Sequence, residues 1–387
     1  MAHAGAWTLL VVDDDEANRA MLGRRLAREG YTRVLTAADG AEALTVLRAR
    51  AIDLVLLDIM MPGLDGYQVL EAMRADERLR HVPVIVISAL DRLDSVVRCI
   101  ELGAEDYLAK PINAVLLRAR VGASLEKKRL RDEITATRDR LERELRAARA
   151  MQLGMLPSTS PAPTAERPVE VFASLQPARE VGGDLYDFFW RDARAFCFVI
   201  GDVAGKGAAA ALCLARTRTL IRQGARVASS TLEEVAAMAN VELAIGSGAV
   251  TFVTAVIGML DAPSGTLRVC NAGHPAPYLI DAGGAVSRLD TGTPQLPLGI
   301  EETTRYTAVD RVLAPGQTLF LYTDGIVDAK RDDGVRFGEA RLADALSGLA
   351  GASAEATVAT ALDAVGKFVR GAPPGDDVAV MAIRLTR

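Results

Sequence analysis

The chain has 387 residues, of which half are apolar and a quarter charged, with a formal net charge of -5. This length exceeds what one hydrophobic core usually supports and predicts two or three domains. The slight negative charge gives no reason to expect nucleic-acid binding. Four scattered cysteines without CxxC spacing favour buried, reduced thiols in a cytoplasmic protein. We expect no signal peptide, because the N-terminus MAHAGAWTLLVVDDD has no basic region and reaches aspartates too soon. We also expect no membrane span, because no apolar run approaches ~20 residues.

Residues 1–124 alternate short apolar runs with segments of helical periodicity. The predicted strands are Trp7–Val12, Arg33–Ala37, Leu54–Leu57, Val84–Ile87 and Asp106–Ala109. The predicted helices between them are Ala17–Arg28, Ala41–Arg50, Tyr67–Ala75 and Ser95–Leu102. This alternation predicts a doubly wound α/β domain with a five-stranded parallel sheet.

Polar side chains stand at the carboxyl ends of these predicted strands: Asp13, Asp14, Asp58, Ser88 and Lys110. Ligands of parallel sheets collect at that edge. Three neighbouring carboxylates repel one another unless a cation is present, and hard oxygen ligands suit Mg²⁺. A carboxylate there could accept a phosphoryl group while the metal and a lysine neutralise the phosphoryl oxygens.

The segments VVDDDEANR, LVLLDIMMPGLDGYQVL, VIVISAL and GAEDYLAKPI resemble the receiver domain of response regulators. The resemblance implies that Asp58 is the phospho-acceptor and that a sensor histidine kinase or phosphotransfer protein is the partner. It implies a Mg²⁺ site formed by Asp13, Asp14, Asp58 and the carbonyl of Met60. It also implies phosphate contacts from Ser88 and Lys110, a change in Tyr107 on activation, and a cis Lys110–Pro111 bond. We interpret Asp15 as a helix N-cap.

The segment Leu125–Leu156 predicts a long helix, with no glycine before Gly154 and no proline before Pro157. Within it Ile134, Leu141, Ala148 and Met155 recur every seven residues among charged positions, as in a coiled coil that would make the protein a homodimer. A single solvated helix with ion pairs at helical spacing is the alternative. No chemical role is assigned to Arg149 or Gln152 at its end.

After a short Pro/Ser/Thr-rich linker (157–168), residues 169–387 show a second pattern. The predicted strands are Val169–Leu175, Ala195–Ile200, Thr251–Leu260, Thr266–Asn271, Ala276–Ile280, Thr318–Tyr322 and Val378–Leu385. The predicted helices are Ala208–Gln223, Thr231–Ala244, Glu339–Leu349 and Ala354–Val369. Runs of strands broken by pairs of helices predict an α+β sandwich flanked by helices.

Four aspartates of this region lie beside glycines, Asp184, Asp202, Asp324 and Asp376, and Asp377 directly follows the last of them. A single aspartate beside glycine is most often a turn former. Four such sites in one domain, three of them at strand ends, indicate instead a shared metal site. Carboxylates suit Mg²⁺ or Mn²⁺, and two such ions close together support in-line attack of water on phosphorus.

These motifs, with NAGHPAP at 271–277, resemble the PP2C-type phosphatases of the SpoIIE/RsbU branch. The resemblance implies that Asp184, Asp202 and the carbonyl of Val203 bind metal, with Asp202 bridging two ions. Asp324 and Asp376 would complete the site, and Asp377 would serve a further metal position. The family often has a histidine where this chain has Lys206. His274 then either protonates the leaving group or contacts phosphate, or it braces a turn.

The sequence therefore predicts a receiver domain (1–124), a coiled-coil helix (125–156), a linker (157–168) and a phosphatase domain (169–387). Phosphorylation of Asp58 would control a metal-dependent protein serine/threonine phosphatase. The resemblance implies a phosphorylated STAS-type anti-sigma-factor antagonist as the substrate. The alternative is a non-catalytic scaffold that binds its partner through the phosphatase fold.

Overall fold

A computed structural model describes residues 6–89, 93–157, 162–178, 181–205, 207–246, 252–372 and 375–386. The chain divides into two compact units, Met1–Leu141 and Glu142–Arg387. Over the described ranges, no helix combines the length and apolar character that a bilayer crossing requires.

The first unit contains one five-stranded parallel sheet with the strand order β2-β1-β3-β4-β5. Its strands are β1 (Thr8–Val12), β2 (Arg33–Ala37), β3 (Leu54–Asp58), β4 (Val84–Ser88) and β5 (Asp106–Ala109). The helices between them are α1 (Glu16–Arg28), α2 (Gly40–Ala49), α3 (Gly66–Ala75) and α4 (Leu93–Glu101). The predicted doubly wound α/β fold is confirmed.

Both faces of this sheet are covered, which explains why its central strands are continuously apolar. All five residues of β3 and of β4 are buried. Leu10 belongs to the core on one face and Leu9 to the core on the other, as alternation along a strand requires. Helix α1 begins at the predicted cap, because the Asp15 side chain accepts a hydrogen bond from Ala17 N.

A 42-residue helix, α5 (Ala114–Met155), follows β5. It confirms the predicted long helix but begins earlier, inside the predicted receiver domain. Leu117, Val121 and Leu125 pack into a core of the first unit, and Leu156, directly after the helix, is in a core of the second. The sequence marks no boundary near residue 124, since no proline, glycine cap or turn interrupts the helical pattern there.

The second unit contains two antiparallel five-stranded sheets, with the orders β13-β10-β9-β8-β7 and β12-β11-β14-β15-β6. The strands are β6 (Val169–Gln176), β7 (Asp184–Trp190), β8 (Ala195–Val203), β9 (Val253–Asp261), β10 (Thr266–Ala272), β11 (Tyr278–Ile280), β12 (Val286–Arg288), β13 (Val309–Val312), β14 (Thr318–Tyr322) and β15 (Val378–Leu385). The helices are α6 (Ala208–Arg226), α7 (Leu232–Gly246), α8 (Asp324–Val327), α9 (Gly338–Leu346) and α10 (Ala354–Val369). The predicted α+β sandwich is confirmed.

Three hydrophobic cores hold these layers together. One lies between the sheets and includes Phe198 and Met381; a second joins the first sheet to α6 and α7; a third joins the other sheet to α9 and α10. In β8, for example, Phe198 and Ile200 enter the core between the sheets, whereas Cys197 and Val199 face the helices. Thr251, which the sequence placed at the start of a strand, lies outside the described residues.

Three strands were not predicted, and β7 is the important one because it carries Asp184. Its sequence DLYDFFW places a second aspartate, Asp187, inside an aromatic run, which weakens the strand pattern. Asp187 is fully buried, and its carboxylate accepts two hydrogen bonds from Arg222 on α6, at 2.6 and 2.7 Å. This pair satisfies the buried charge and ties β7 to the helix layer.

Gly258 provides a test of the inter-sheet core. A Cβ atom at this position of β9 would overlap the buried ring of Phe198. We expect Gly258→Ala to lower the free energy of unfolding of the second unit by about 1–3 kcal/mol, as overpacking does. The matched control is Gly366→Ala in α10, where a Cβ meets nothing within 4 Å; it should be neutral or stabilising by up to about 1 kcal/mol. Calorimetry of the full chain measures both, and equal effects would contradict the assignment.

Candidate functional site

The first acidic cluster lies at the carboxyl ends of β1 and β3. Asp13, Asp14 and Asp58 each place a carboxylate oxygen within 4.8 Å of the others. Lys110 Nζ donates to Asp13 Oδ2 at 2.9 Å and to Asp58 Oδ2 at 2.5 Å. The parallel sheet thus brings together four of the side chains that the sequence predicted at this edge.

The electrostatics of this cluster fit a divalent cation. Burial raises the pKa of the Asp58 carboxyl, while its hydrogen bond with Lys110 and the N–H of Met60 oppose the rise. Asp13 is also buried, and its Oδ1 accepts hydrogen bonds from Asp15 N and Asn18 Nδ2. The single positive charge of Lys110 offsets only part of the negative charge of the three carboxylates. The remaining charge and the oxygen ligands both suit Mg²⁺.

The remaining receiver positions stand around this cluster. Ser88 is buried, and its carbonyl accepts hydrogen bonds from Lys110 N at 2.9 Å and from the Tyr107 hydroxyl at 3.3 Å. Met60, whose carbonyl the sequence assigned to the metal, is 64% exposed. The Lys110–Pro111 bond is cis, as predicted. The functional roles of these residues stay predictions.

The second acidic cluster joins the two sheets of the second unit. Asp184 and Asp202 face each other in register on β7 and β8. From the other sheet, Thr323 directly follows β14, and its hydroxyl donates to Asp184 Oδ2 at 2.6 Å. Asp324 is the first residue of α8 and directly follows Thr323. The end of β14 and the β7–β8 pair therefore place aspartates on the same side of the sandwich.

Asp377, directly before β15, accepts hydrogen bonds from backbone N–H groups. Its Oδ2 accepts from Gly183 N at 2.6 Å and its Oδ1 from Ala178 N at 2.8 Å. A Cβ on Gly182 would come within 2.6 Å of the same Oδ2, which explains the glycine in this loop. Asp376 is exposed beside it. The carboxylate of Asp377 therefore fixes the loop that leads into Asp184.

Burial and mutual repulsion raise the pKa values of Asp184, Asp202 and Asp324. Burial, followed by the charge of Asp202, raises the pKa of Asp184 well above its usual range. Burial and the charges of Asp324, Asp376 and Asp377 raise the pKa of Asp202 to about 7. Burial and Asp376 also raise the pKa of Asp324. Such repulsion among oxygen ligands is what bound divalent cations relieve, so the residues fit a site for Mn²⁺ or Mg²⁺.

His274 is buried and both of its ring nitrogens have protein partners. Nδ1 pairs with the Thr254 hydroxyl at 2.9 Å, and Nε2 lies 3.1 Å from the Tyr322 carbonyl oxygen, to which it donates. Burial lowers its pKa to about 4, so the ring is neutral at pH 7. Of the two alternatives, these contacts favour a histidine that braces the turn after β10 against β14. Lys206 lies outside the described residues.

Two residues of the site were missed by the sequence analysis. Thr323 is fully buried beside Asp324, and the LYTDG motif could have drawn attention to it as the residue at the strand end. Gln152 is buried on the last turn of α5, where its neighbours are exposed, and it bonds to Gly182 in the loop before Asp184. A polar residue at the end of a charged helix gives no such signal in a single sequence.

The raised pKa of Asp202 predicts a pH dependence for the metal-free chain. Between its ordinary value of 3.8 and about 7, the folded unit keeps a proton that the unfolded chain has released. We therefore expect Asp202 to make unfolding easier as pH rises through this window. In EDTA, the free energy of unfolding of Asp202→Asn relative to wild type should increase between pH 4 and pH 7. The exposed control Asp363→Asn should track wild type, and a pH-independent difference for Asp202→Asn would contradict the prediction.

Two family models match the chain. The model of stage II sporulation protein E (SpoIIE) matches residues 192–386, about half of the chain. The model of the response regulator receiver domain matches residues 9–122. Asp184 precedes the first match, but β7 pairs with β8 inside it, so this aspartate belongs to the same sheet.

Similar proteins agree with this division. Response regulator PleD of Caulobacter vibrioides is 44% identical over 126 residues, covering 33% of this chain and 28% of its own length. A probable cyclic di-GMP phosphodiesterase of Vibrio cholerae is 38% identical over 138 residues, covering 36% and 31%. The chain thus spans less than a third of the length of these relatives.

A solved structure resembles the second unit. The SiaA-PP2C domain of Pseudomonas aeruginosa gives a TM-score of 0.56 at 23% identity, covering 65% of this chain and 99% of that one. At this identity the likeness shows a shared PP2C fold. Together with the two family matches, it establishes that the chain belongs to the SpoIIE family and carries a response regulator receiver domain before its PP2C-type phosphatase domain.

Proposed function

We propose that phosphorylation of Asp58 controls a metal-dependent protein serine/threonine phosphatase formed by residues 169–387. The observation that carries this proposal is the acidic cluster at which both sheets of the sandwich meet. Burial and mutual repulsion raise the pKa values of Asp184, Asp202 and Asp324 there, that of Asp202 to about 7. Bound divalent cations would offset this repulsion, which is why a cluster of such carboxyls indicates a metal site.

The ligands proposed for two Mn²⁺ or Mg²⁺ ions are Asp184, Asp202, Asp324, Asp376 and the Val203 carbonyl. When bound, such ions supply Lewis acidity and a water activated for attack on phosphorus. Thr323 holds the Asp184 carboxylate through its hydroxyl. Asp377 fixes the loop before Asp184, and its remaining lone pairs are available for a further metal position.

For the receiver, we propose that a sensor histidine kinase or phosphotransfer protein phosphorylates Asp58, with Mg²⁺ held by Asp13, Asp14, Asp58 and the Met60 carbonyl. Lys110 already contacts the Asp58 carboxylate and would move to the new phosphoryl oxygens. The Tyr107 hydroxyl donates to the Ser88 carbonyl, and we propose that these two residues form the switch beside the phosphorylation site.

We propose a homodimer formed through the part of α5 beyond the first core. Its seam positions are exposed: Ile134 is 69% and Leu141 50% accessible. Charged positions around them form ion pairs within the helix, for example Arg129 with Glu133 at 3.1 Å. A helix of this kind buries its apolar seam only by pairing with a second copy. The single solvated helix is the alternative, and sedimentation of the full chain separates the two.

The substrate proposed is a phosphorylated STAS-type anti-sigma-factor antagonist in the cytoplasm. Support comes from membership of the SpoIIE family and from the resemblance of the four acidic motifs to its phosphatases. Removal of the phosphate would free the antagonist to bind its anti-sigma factor. A pull-down with the full chain, followed by dephosphorylation of the captured protein, identifies the substrate.

Hydrolysis of p-nitrophenyl phosphate with Mn²⁺ tests the catalytic part of the proposal. Loss of the central ligand in Asp202→Ala should reduce turnover by at least about 100-fold, since weakening even an outer residue of a metal site costs 10–100-fold. Asp363→Ala, which removes an exposed ion pair with Lys367, should retain wild-type turnover. Equal inactivity of wild type and Asp202→Ala with metal supplied would support the non-catalytic scaffold instead.

A beryllofluoride mimic of the phosphoryl group tests regulation. Bound at Asp58, it should change the turnover of the full chain by more than threefold, because it replaces the Lys110–Asp58 contact and shifts the receiver equilibrium. Asp58→Asn, which cannot form the adduct, should not respond. An active wild-type chain with the same turnover in both states would contradict the coupling.

A further inference from the structure

The last turn of α5 carries one buried polar side chain. Gln152 is 4% exposed, whereas its neighbour Met151 is 69% exposed. Its Nε2 donates to the Gly182 carbonyl at 2.7 Å, and its Oε1 accepts from the Gly182 N–H at 3.1 Å. The side-chain amide of Gln152 thus pairs with both the N–H and the carbonyl of Gly182. Two hydrogen bonds fix the orientation of the Gly182 backbone as well as its distance from the helix.

Gly182 leads directly into the acidic cluster. The next residue, Gly183, donates its N–H to Asp377 Oδ2 at 2.6 Å and accepts through its carbonyl from Val203 N at 3.2 Å. Asp184 follows. A two-residue glycine segment therefore connects Gln152 to three positions at which the proposed metal ligands stand.

This segment has little room to move without disturbing those positions. A Cβ on Gly182 would lie 2.6 Å from Asp377 Oδ2, and one on Gly183 would lie 3.0 Å from the Val203 carbonyl oxygen. The backbone is packed directly on the groups it positions. A shift of Gly182 by an ångström would break its hydrogen bonds or displace the Asp377 carboxylate.

We propose that Gln152 is a positioning residue: through Gly182 and Gly183, the end of α5 sets how well Asp184, Val203 and Asp377 are placed to bind metal. The inference rests on the proposed phosphatase function and specifies how its activity is regulated. Leu156, packed in the inter-sheet core, anchors the same end of the helix without directional contacts. Rotation of α5 about that anchor releases the Gln152 amide from Gly182 and loosens the loop.

The test is Mn²⁺ binding to the full chain, measured by titration calorimetry. The Asp202→Ala chain keeps the receiver site, so subtracting its titration isolates the ions of the second unit. Gln152→Leu retains the bulk of the side chain and removes both hydrogen bonds. It should raise the dissociation constant for Mn²⁺ by more than threefold, with kcat on p-nitrophenyl phosphate restored at saturating Mn²⁺. Met151→Ala, on the exposed side of the same turn, should leave the dissociation constant unchanged.

A purely structural role would lower the thermal stability of Gln152→Leu without changing its Mn²⁺ affinity, and a change of less than threefold overturns the inference. An equal loss of affinity in Met151→Ala also overturns it. Should Gln152→Leu not fold, Gln152→Glu, which keeps the acceptor for Gly182 N–H and loses the donor, carries the same comparison. Failure of the proposed function itself would give a different result: wild type and Asp202→Ala would then bind Mn²⁺ equally.

Discussion

Repulsion between buried carboxylates is the constraint on which the rest of this structure depends. Strand ends bring aspartates together in both units: Asp13, Asp14 and Asp58 in the first, and Asp184 and Asp202, which face each other on β7 and β8, in the second. The receiver balances part of the charge internally, since Lys110 bonds to both Asp13 and Asp58. In the second unit, Asp184 and Asp377 are held by a hydroxyl and by backbone N–H groups, which orient carboxylates without neutralising them.

Holding such a cluster requires a rigid frame, and the sandwich provides one. The acids stand at the ends of strands in two different sheets, and the inter-sheet core keeps those ends together. His274 adds a neutral cross-connection, joining Thr254 on β9 to the Tyr322 carbonyl at the end of β14. The loop before Asp184 is the exception, because glycines and side-chain hydrogen bonds, rather than strand pairing, fix it. A segment that strand pairing does not fix can shift without unfolding the sandwich, so this loop is where we expect regulation to act.

Much of this architecture could be predicted from the sequence. Buried parallel strands are apolar runs ending in polar residues, so the receiver sheet and its acidic edge follow from the pattern alone. The continuity of α5 across residue 124 and strand β7 could not be predicted in this way. Only the isolated Gly122 stands near residue 124, and a single glycine is tolerated inside a helix. In β7, Asp187 interrupts the apolar run, and its partner Arg222 is 35 residues away. Gln152 was missed for the same reason: its partner is 30 residues distant.

The central claim is that α5 connects the state of Asp58 to the metal affinity of the acidic cluster. The most direct measurement is Mn²⁺ titration of the full chain with and without beryllofluoride, after subtraction of the Asp202→Ala chain. The adduct should change the Asp202-dependent dissociation constant by more than threefold in wild type and leave it unchanged in Asp58→Asn. Equal affinity in both states of the wild-type chain would contradict it.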